Sequence, residues 1–551
     1  VKPFDLLRHA VRAKEILTTL ARHGFNDLLD QIELPPGFLQ KLLAQPGPSR
    51  TTEERARLAA EELGPAFVKL GQLLSMRPDV LPHAMILELR KLQDQVQPLP
   101  FSDLGPVLNS ELGRDPHEVF SEFNETPIAS ASLAQVYFAR LRAGGEPVAV
   151  KIQKPDIHRT IEVDMELAGW LAGQLQQRIG ALKAFDLPGV VEEARLGILR
   201  EIDFRNEARN LQYFAAQNPS PGEVFAPRVL LELSTARVLV MEHIDGDPVG
   251  ATTLPAAQLR LLAAHGAGSL IRQVLVSGFF HADPHAGNVF ITRDGRLCFL
   301  DWGLVGHLTR RLRYALADFW VAAVEQDAEW IVQIAAELAP AEARPDLHAM
   351  EKEVTLALRE ELNFTIGRQQ IGRALLKLLY IFGQYGIPLS RDYSLMAKAV
   401  LSIEEVGRTL DPGFDLRVHT EPVLRELFRE RYSGGTLFRR LRTFLRGGMA
   451  GMQNLPAVMH RLVRRLENDN LIINLRHRGL EEHDDAMKIA ANRIALGVII
   501  GALIIGSSLI VTTGTGPQLL GYPTLGIIGY LLSAILGLYV IWDIIRHGRH
   551  K

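Results

Sequence analysis

The sequence predicts an α+β protein in which a mixed lobe of short strands precedes a helical lobe, with a helical extension before them and a transmembrane helical hairpin near the C-terminal end. Three observations predict this. Residues 126–155 carry β-rich runs around a Gly144-Gly145 turn, the pattern of a hairpin. Apart from two short strand patterns flanking Asp294-Gly295, the second half spaces its apolar residues for helices. Two charge-free apolar runs, 494–512 and 524–542, close the pattern. At ~1.5 Å per residue each nearly spans a hydrocarbon core of ~30 Å.

The elements follow in order. Residues 4–29 place apolar side chains at helical spacing, with Arg8, Arg12, Lys14 and Arg22 between them. Such an amphipathic helix suits an anionic membrane surface and suits packing on the protein's own body equally well. A Pro/Gly-rich stretch between Pro35 and Pro48 reads as a linker. Helical patterning returns over 51–100, ending at Gln97-Pro98-Leu99-Pro100, and the hairpin strands Gln135–Leu141 and Pro147–Ile152 come next. Residues 160–215 are helical, Arg237–Glu242 is a further strand, and Val289–Ile291 and Leu297–Leu300 flank Asp294-Gly295. Pro517, Gly521 and Pro523 separate the two apolar runs, and Gly497/Gly501 and Gly529/Ser533/Gly537 repeat small residues at four-residue spacing, which lets helices approach closely.

At 551 residues, 47% hydrophobic and 23% charged, the chain has the composition of a folded protein with room for more than one core. A net charge of -2 gives no reason to expect nucleic-acid binding. That balance conceals a local excess: residues 425–478 hold twelve arginines and no lysines against four acids. Leucine and phenylalanine interleave with these arginines, a pattern suited to anionic lipid head groups. The stretch from Val1 onward lacks the pattern of a secretory signal. A single cysteine, Cys298, excludes intrachain disulfides and multi-cysteine metal sites, and reads as a buried thiol on the reducing side of a membrane. Lys488 and Arg493 precede the hairpin and Arg546, Arg549 and Lys551 follow it, which puts both its ends and the globular body on the cytoplasmic side.

The strongest chemical signal is His281-Ala-Asp-Pro-His-Ala-Gly-Asn288, followed thirteen residues later by Asp301-Trp302-Gly303. Handling ATP requires hard oxygen ligands for Mg2+ and a carboxylate near the reacting group. In kinase-like enzymes a loop Asp, an Asn five residues on and an Asp-x-Gly after a short hairpin supply them, here Asp283, Asn288 and Asp301. Upstream, Val148-Ala-Val-Lys151 offers a strand lysine for the phosphates. Glu201-Ile-Asp-Phe-Arg-Asn-Glu207 offers three candidate partners, of which Glu207 is chosen. Val240–Ile244 resembles a kinase hinge whose backbone would meet adenine, with Glu242 and Ile244 on the nucleotide side. Ala282 follows His281 where many protein kinases have arginine, so control by activation-loop phosphorylation is not expected.

Taken together, Lys69-Leu-Gly-Gln72, the alanine-rich loop within Pro127–Ser132, Lys151, Glu201-Ile-Asp203, Asp283 with Asn288, and Asp301 resemble the UbiB family of atypical kinase-like proteins over about residues 65–305. The C-terminal hairpin matches its bacterial members. The resemblance implies a protein-kinase-like two-lobe fold with an added N-terminal helical extension and a C-terminal transmembrane helical hairpin. The domain plan is then an amphipathic helix and linker over 1–50, a helical KxGQ extension over 51–125, and an N-lobe with inserted helices over 126–245. A helical C-lobe over 246–424, a basic juxtamembrane region over 425–492 and two transmembrane helices over 493–545 complete it. It further implies that Ala129, Ser130, Ala131 and Ser132 replace a glycine-rich phosphate loop. Ser130 stands where the family commonly has alanine. Lys69 and Gln72 would form a lid over the cleft beside Glu201 and Asp203, obstructing a protein substrate.

The expected function is a membrane-anchored ATPase of atypical-kinase type at the bacterial inner membrane, supporting ubiquinone (isoprenoid quinone) biosynthesis with ATP and Mg2+. Asn288 and Asp301 would hold the metal, Lys151 the phosphates, and Asp283 the attacking water or hydroxyl. Isoprenoid quinone precursors, anionic lipids and other quinone-biosynthesis enzymes are its expected partners. The alternatives are a small-molecule or protein phosphotransferase and a non-catalytic nucleotide-binding scaffold.

Overall fold

The structure is a computed structural model that describes residues 9–29, 50–77, 80–92, 97–179, 186–339, 345–362, 371–387, 391–431, 481–514, 517–519 and 522–547. The Pro35–Pro48 linker and the arginine-rich segment beyond Arg431 lie outside the described residues. Helix α1 (Ala10–Arg22) and the one-turn α2 (Asn26–Leu29) pack on the protein itself. Ala13, Ile16, Leu17 and Ala21 are buried against a surface that includes Leu63, Leu167 and Trp170. Arg12 grips Asp164 through two bonds of 2.7 and 2.8 Å and donates to the Leu63 carbonyl. Of the two uses foreseen for the amphipathic face, packing on the body is the one observed.

A Thr51/Glu54 capping box starts α3 (Thr52–Leu63), satisfying two of its free N–H groups. Gly64, at φ +99°, then turns the chain into α4 (Pro65–Leu74), whose first residue needs no N–H partner. This helix carries Lys69 and Gln72 and packs on the later helices through Ala66 and Leu70. Gly71 makes that fit possible, since a Cβ there would lie 2.5 Å from Leu92 Cδ1. Next come α5 (His83–Leu89), α6 (Phe101–Leu112) and the single turn α7 (Pro116–Val119).

The main sheet is built from β1 (Phe120–Phe123), β2 (Ala129–Ser130), β3 (Ala134–Leu141), β4 (Pro147–Gln153) and, after an excursion, β6 (Val238–Glu242). Its order is β1-β3-β4-β6, with β2 also pairing with β3. β1 lies within 51–125, the stretch read as a helical extension. Its four residues are too short to show alternation beside a helix, and its register slips between Phe120 and Glu122. α6 covers this sheet through Leu104 and Leu108, and Gln135 clamps the Leu99 backbone with bonds of 2.7 and 3.1 Å. The chain therefore joins the first lobe from about Leu99.

The excursion comprises α8 (Ile157–Arg178), α9 (Leu187–Ile202), α10 (Phe204–Gln217) and β5 (Val224–Phe225). The second lobe then runs through β7 (Gly246–Pro248), α11 (Ala256–Arg272), β8 (Phe279–His281), β9 (Val289–Thr292), β10 (Leu297–Phe299) and β11 (Val305–His307). It continues with α12 (Arg310–Glu325), α13 (Ala328–Leu338), α14 (Leu347–Glu361), α15 (Ile371–Gln384), α16 (Arg391–Leu410) and α17 (Leu416–Arg431). One large apolar core unites these helices and takes in Phe214, Phe279 and Trp302.

A separate unit contains α18 (Glu481–Thr513), the short strands β12 (Gln518–Leu519) and β13 (Tyr522–Pro523), and α19 (Thr524–His547). Within these two helices, Ile494–Thr513 and Thr524–Trp542 are long and apolar enough to cross a membrane. Their apolar side chains, among them Ile494, Val498, Leu531 and Leu538, are exposed, as suits a lipid solvent. The helices meet through small residues, but only at part of the predicted set. A Cβ at Gly529 would collide with Ser507 and one at Gly526 with Val511, and Ser533 is buried. At Gly497, Gly501 and Gly537 a Cβ would meet nothing within 4 Å, because four-residue spacing marks a helix face without saying which turn makes the crossing.

Candidate active site

Alternation along β4 divides its side chains between two tasks. Val148, Val150 and Ile152 are fully buried under α6, while Ala149 and Lys151 face a cleft of about 550 Å³ between the lobes. Lys151 pairs across the sheet with Val136 and Leu239, and its ammonium reaches Glu207 Oε2 at 2.8 Å and Oε1 at 3.1 Å. Asp301 Oδ1 accepts a third bond from it at 3.3 Å, and the Phe204 ring lies 5.3 Å away. Burial opposes the Lys151 charge, but Asp301 and Glu207 outweigh it and hold the ammonium above its ordinary range. Burial pushes the Glu207 carboxyl up to about 7 against the pull of Lys151. Asp301 is held below the usual carboxylate range, first by Lys151 and then by Lys69.

Asp301 stands at φ +50°, a left-handed conformation uncommon outside glycine and associated with functional sites. Gly303 explains the Asp-x-Gly spacing. A Cβ there would sit 3.2 Å from Asp301 Oδ1 and within 4 Å of Glu207 and Glu201, so its absence lets three carboxylates converge. Trp302 is buried and stacks on Phe214 at 4.3 Å between centroids, anchoring the segment behind the cleft.

His281 locks the loop that carries Asp283 and Asn288 to this segment. Its Nε2 donates to Leu300 O at 2.8 Å, while its Nδ1 accepts the Asp283 N–H at 3.1 Å. That pattern requires the neutral ring, and complete burial lowers its pKa accordingly. The His281 N–H in turn donates to Gln273, in the π-helical turn that ends α11. Asn288 closes the loop by donating to the Asp283 carbonyl at 3.3 Å, leaving its side-chain oxygen for another ligand.

From the helical extension, Lys69 meets Glu201 at 2.5 Å, and Gln72 donates to Leu92 O at 3.2 Å. Lys69, Gln72, Leu73 and Met76 all line the cleft. The acidic pair is split: Glu201 lines the cleft, whereas Asp203 caps α10 and pairs with Arg205 at 2.8 Å. A two-residue step puts Asp203 outside the helix that presents Glu201. Ala129, Ser130 and Ala131 line the cleft with Glu242, Ile244, Asp283 and Asn288. Ser132 is buried and is not part of the lining; it lies past the end of β2, in the bend that leads into β3. The Ser130 hydroxyl is buried without a partner.

Sequence reasoning missed Lys398, which lines the cleft from α16 and approaches Asp283 Oδ2 to 2.9 Å. No local motif surrounds it. Its only signal is the spacing of Arg391, Lys398 and Glu405 on one face of a helix.

Comparison with known proteins identifies the family to which this fold belongs. Residues 91–335 match the ABC1 atypical kinase-like domain, 361–415 the UbiB helical domain and 478–546 the ABC1/UbiB kinase-like C-terminal domain. A probable protein kinase UbiB of Shewanella pealeana is 32% identical over 433 residues, covering 76% of this chain and 79% of the relative. The chain belongs to the UbiB family. A further UbiB, from Cellvibrio japonicus, is 31% identical over 83% of this chain and 84% of its own. An uncharacterized Clostridium pasteurianum protein is 29% identical over 98% of this chain and 99% of its own. A Mycobacterium tuberculosis protein solved with erythromycin aligns at 24% identity with a TM-score of 0.41, over 62% of this chain and 91% of that one. The UbiB family's kinase-like fold is thus the frame that holds this cleft.

Proposed function

We propose that this UbiB-family protein is a membrane-anchored, Mg2+-dependent ATPase of atypical-kinase type that supports ubiquinone biosynthesis, using ATP turnover to help handle hydrophobic quinone precursors. The observation that carries the reading is the gathering of Lys151, Glu207, Asp283, Asn288 and Asp301 in one cleft that Lys69, Gln72, Leu73 and Met76 also line. The residues present fit a magnesium nucleotide. Asn288 and Asp301 offer hard oxygens, the orphaned Ser130 hydroxyl awaits a partner, and Val136, Ala149 and Met241 give an apolar lining for a base.

Mg2+ held by Asn288 and Asp301 would supply charge neutralisation at the phosphates. The chain's own residues would do the rest. Glu207 fixes Lys151 where it can meet phosphate oxygens, and the loop locked by His281 holds Asp283 toward a water or hydroxyl nucleophile. As a lid, α4 restricts access by a folded protein substrate, which favours hydrolysis over protein phosphorylation. The apolar hairpin is read as a two-span anchor in the bacterial inner membrane, with the body on the cytoplasmic side and the arginine-rich segment against anionic lipid. Quinone precursors would then reach the protein through the bilayer.

The test is ATP turnover by full-length protein with and without anionic lipid and quinone-precursor mimics, comparing wild type with Asp301→Asn and Lys69→Ala. Free phosphate that depends on Asp301 and rises with lipid supports the reading. Phosphate transferred to an added small molecule or protein would replace it with a phosphotransferase, and absence of Asp301-dependent turnover with a scaffold.

A further inference from the structure

The loop His281–Asn288 contains no lysine or arginine, yet a cation meets its aspartate. Lys398 Nζ lies 2.9 Å from Asp283 Oδ2, with the two side chains 31% and 29% exposed. Both line the cleft that holds Lys151 and Asp301. The two other lysines lining that cleft already meet acids of their own, Lys69 with Glu201 and Lys151 with Glu207 and Asp301.

The helix that presents Lys398 is firmly held. Ser394, Ala397 and Val400 of α16 are buried in the main core. Asp392 accepts the His307 N–H at 3.2 Å, so the start of α16 is tied to β11, which pairs with the strand that runs into the catalytic loop. Arg391, one heptad before Lys398, packs against Gly197 of α9 in the field of Glu193 and Glu201. The ABC1 match ends at residue 335, whereas Lys398 lies inside the 361–415 helical-domain match. The cation that meets Asp283 is therefore contributed by a different domain of the same chain.

We propose that Lys398 is a positioning residue that acts through Asp283, fixing its carboxylate toward the nucleophile and offsetting its charge as an anionic phosphoryl group approaches. This rests on the ATP-turnover reading. In that step the nucleophile's oxygen bonds to the γ-phosphorus, and the bond to the β–γ bridging oxygen breaks with its electron pair leaving on ADP. The nucleophile's proton passes to Asp283. Lys398 holds the accepting oxygen in place and keeps two anions from facing each other unscreened.

The experiment measures ATP turnover, ADP affinity and thermal midpoint for full-length protein in nanodiscs containing anionic lipid. The variants are Lys398→Met, Lys398→Arg, Asp283→Asn, Asp283→Asn combined with Lys398→Met, and Asp301→Asn. Lys398→Met should lower kcat by about 100-fold while KM for ATP and ADP affinity stay within about threefold of wild type. Lys398→Arg should recover most of the rate, and the double variant should be no slower than Asp283→Asn alone. If Lys398→Met melts well below wild type, Lys398→Gln takes its place under the same criteria. A kcat at or above the wild-type value, or an undiminished loss on the Asp283→Asn background, overturns the proposal. Turnover equal in wild type and Asp301→Asn removes the ATP reading and this inference with it. Asp301-dependent turnover that ignores Lys398 removes the inference alone.

Discussion

Replacing Arg12 by alanine tests whether the N-terminal helix is part of the folded body. Arg12 gives Asp164 two charge-assisted bonds of 2.7 and 2.8 Å, and the Asp164 side chain is only 1% exposed. Asp164, its strongest partner, raises the guanidinium above its ordinary range. Truncating Arg12 strands a buried carboxylate, which costs about 3–5 kcal/mol. Ile16 and Leu17 remain as apolar anchors, worth about 1.5–3 kcal/mol each, so the helix should loosen without being lost from the native state. Hydrogen exchange of full-length protein in detergent should show protection over Ala10–Arg22 falling by more than about 100-fold. Converting the pair to Arg12→Met with Asp164→Leu should restore most of it, because no charge is then stranded. Unchanged protection in Arg12→Ala, or a double variant no better than the single, would refute the reasoning.

Other outcomes follow from the same geometry. Gly303→Ala should cut ATP turnover by more than about tenfold through crowding of Asp301 and Glu207 while costing about 1 kcal/mol of stability, read by kinetics and urea unfolding side by side. His281, His243 and His419 all have pKa values lowered by burial. The unfolded chain therefore binds more protons just below pH ~6.5, and stability should fall with falling pH at up to about 1.4 kcal/mol per unit for each histidine. His281→Gln should remove about one histidine's share of that slope. In the hairpin, Gly529→Leu should lower the thermal midpoint in detergent, whereas Gly537→Leu, with open space around it, should not.

The sequence made legible what is written locally. The β-rich run Pro147–Ile152 beside the Gly144-Gly145 turn marked the strand that carries Lys151, and the spacing of Asp283, Asn288 and Asp301 marked a loop and hairpin that the structure brings together. For the partner of Lys151 the sequence offered three acids within Glu201–Glu207, and Glu207 is the one of them that meets it. Features set by distant packing were not readable. β1 was hidden by its four-residue length, and Asp203 and Ser132 share motifs with cleft residues yet turn elsewhere. Lys398 reaches Asp283 across 115 residues of chain (398 − 283), through helix packing that no local pattern records. Gly71 was visible as a motif position, but its reason, the approach of Leu92, appears only in three dimensions.

The central claim is that the Lys151–Glu207–Asp301 cleft binds a magnesium nucleotide. Calorimetric titration of full-length protein with ATP, with and without Mg2+, tests it most directly in wild type, Lys151→Met and Asp301→Asn. Wild type should show saturable one-to-one binding that needs Mg2+ and is weakened at least about tenfold by either substitution. Binding of equal strength in all three proteins, or none in wild type, would contradict it.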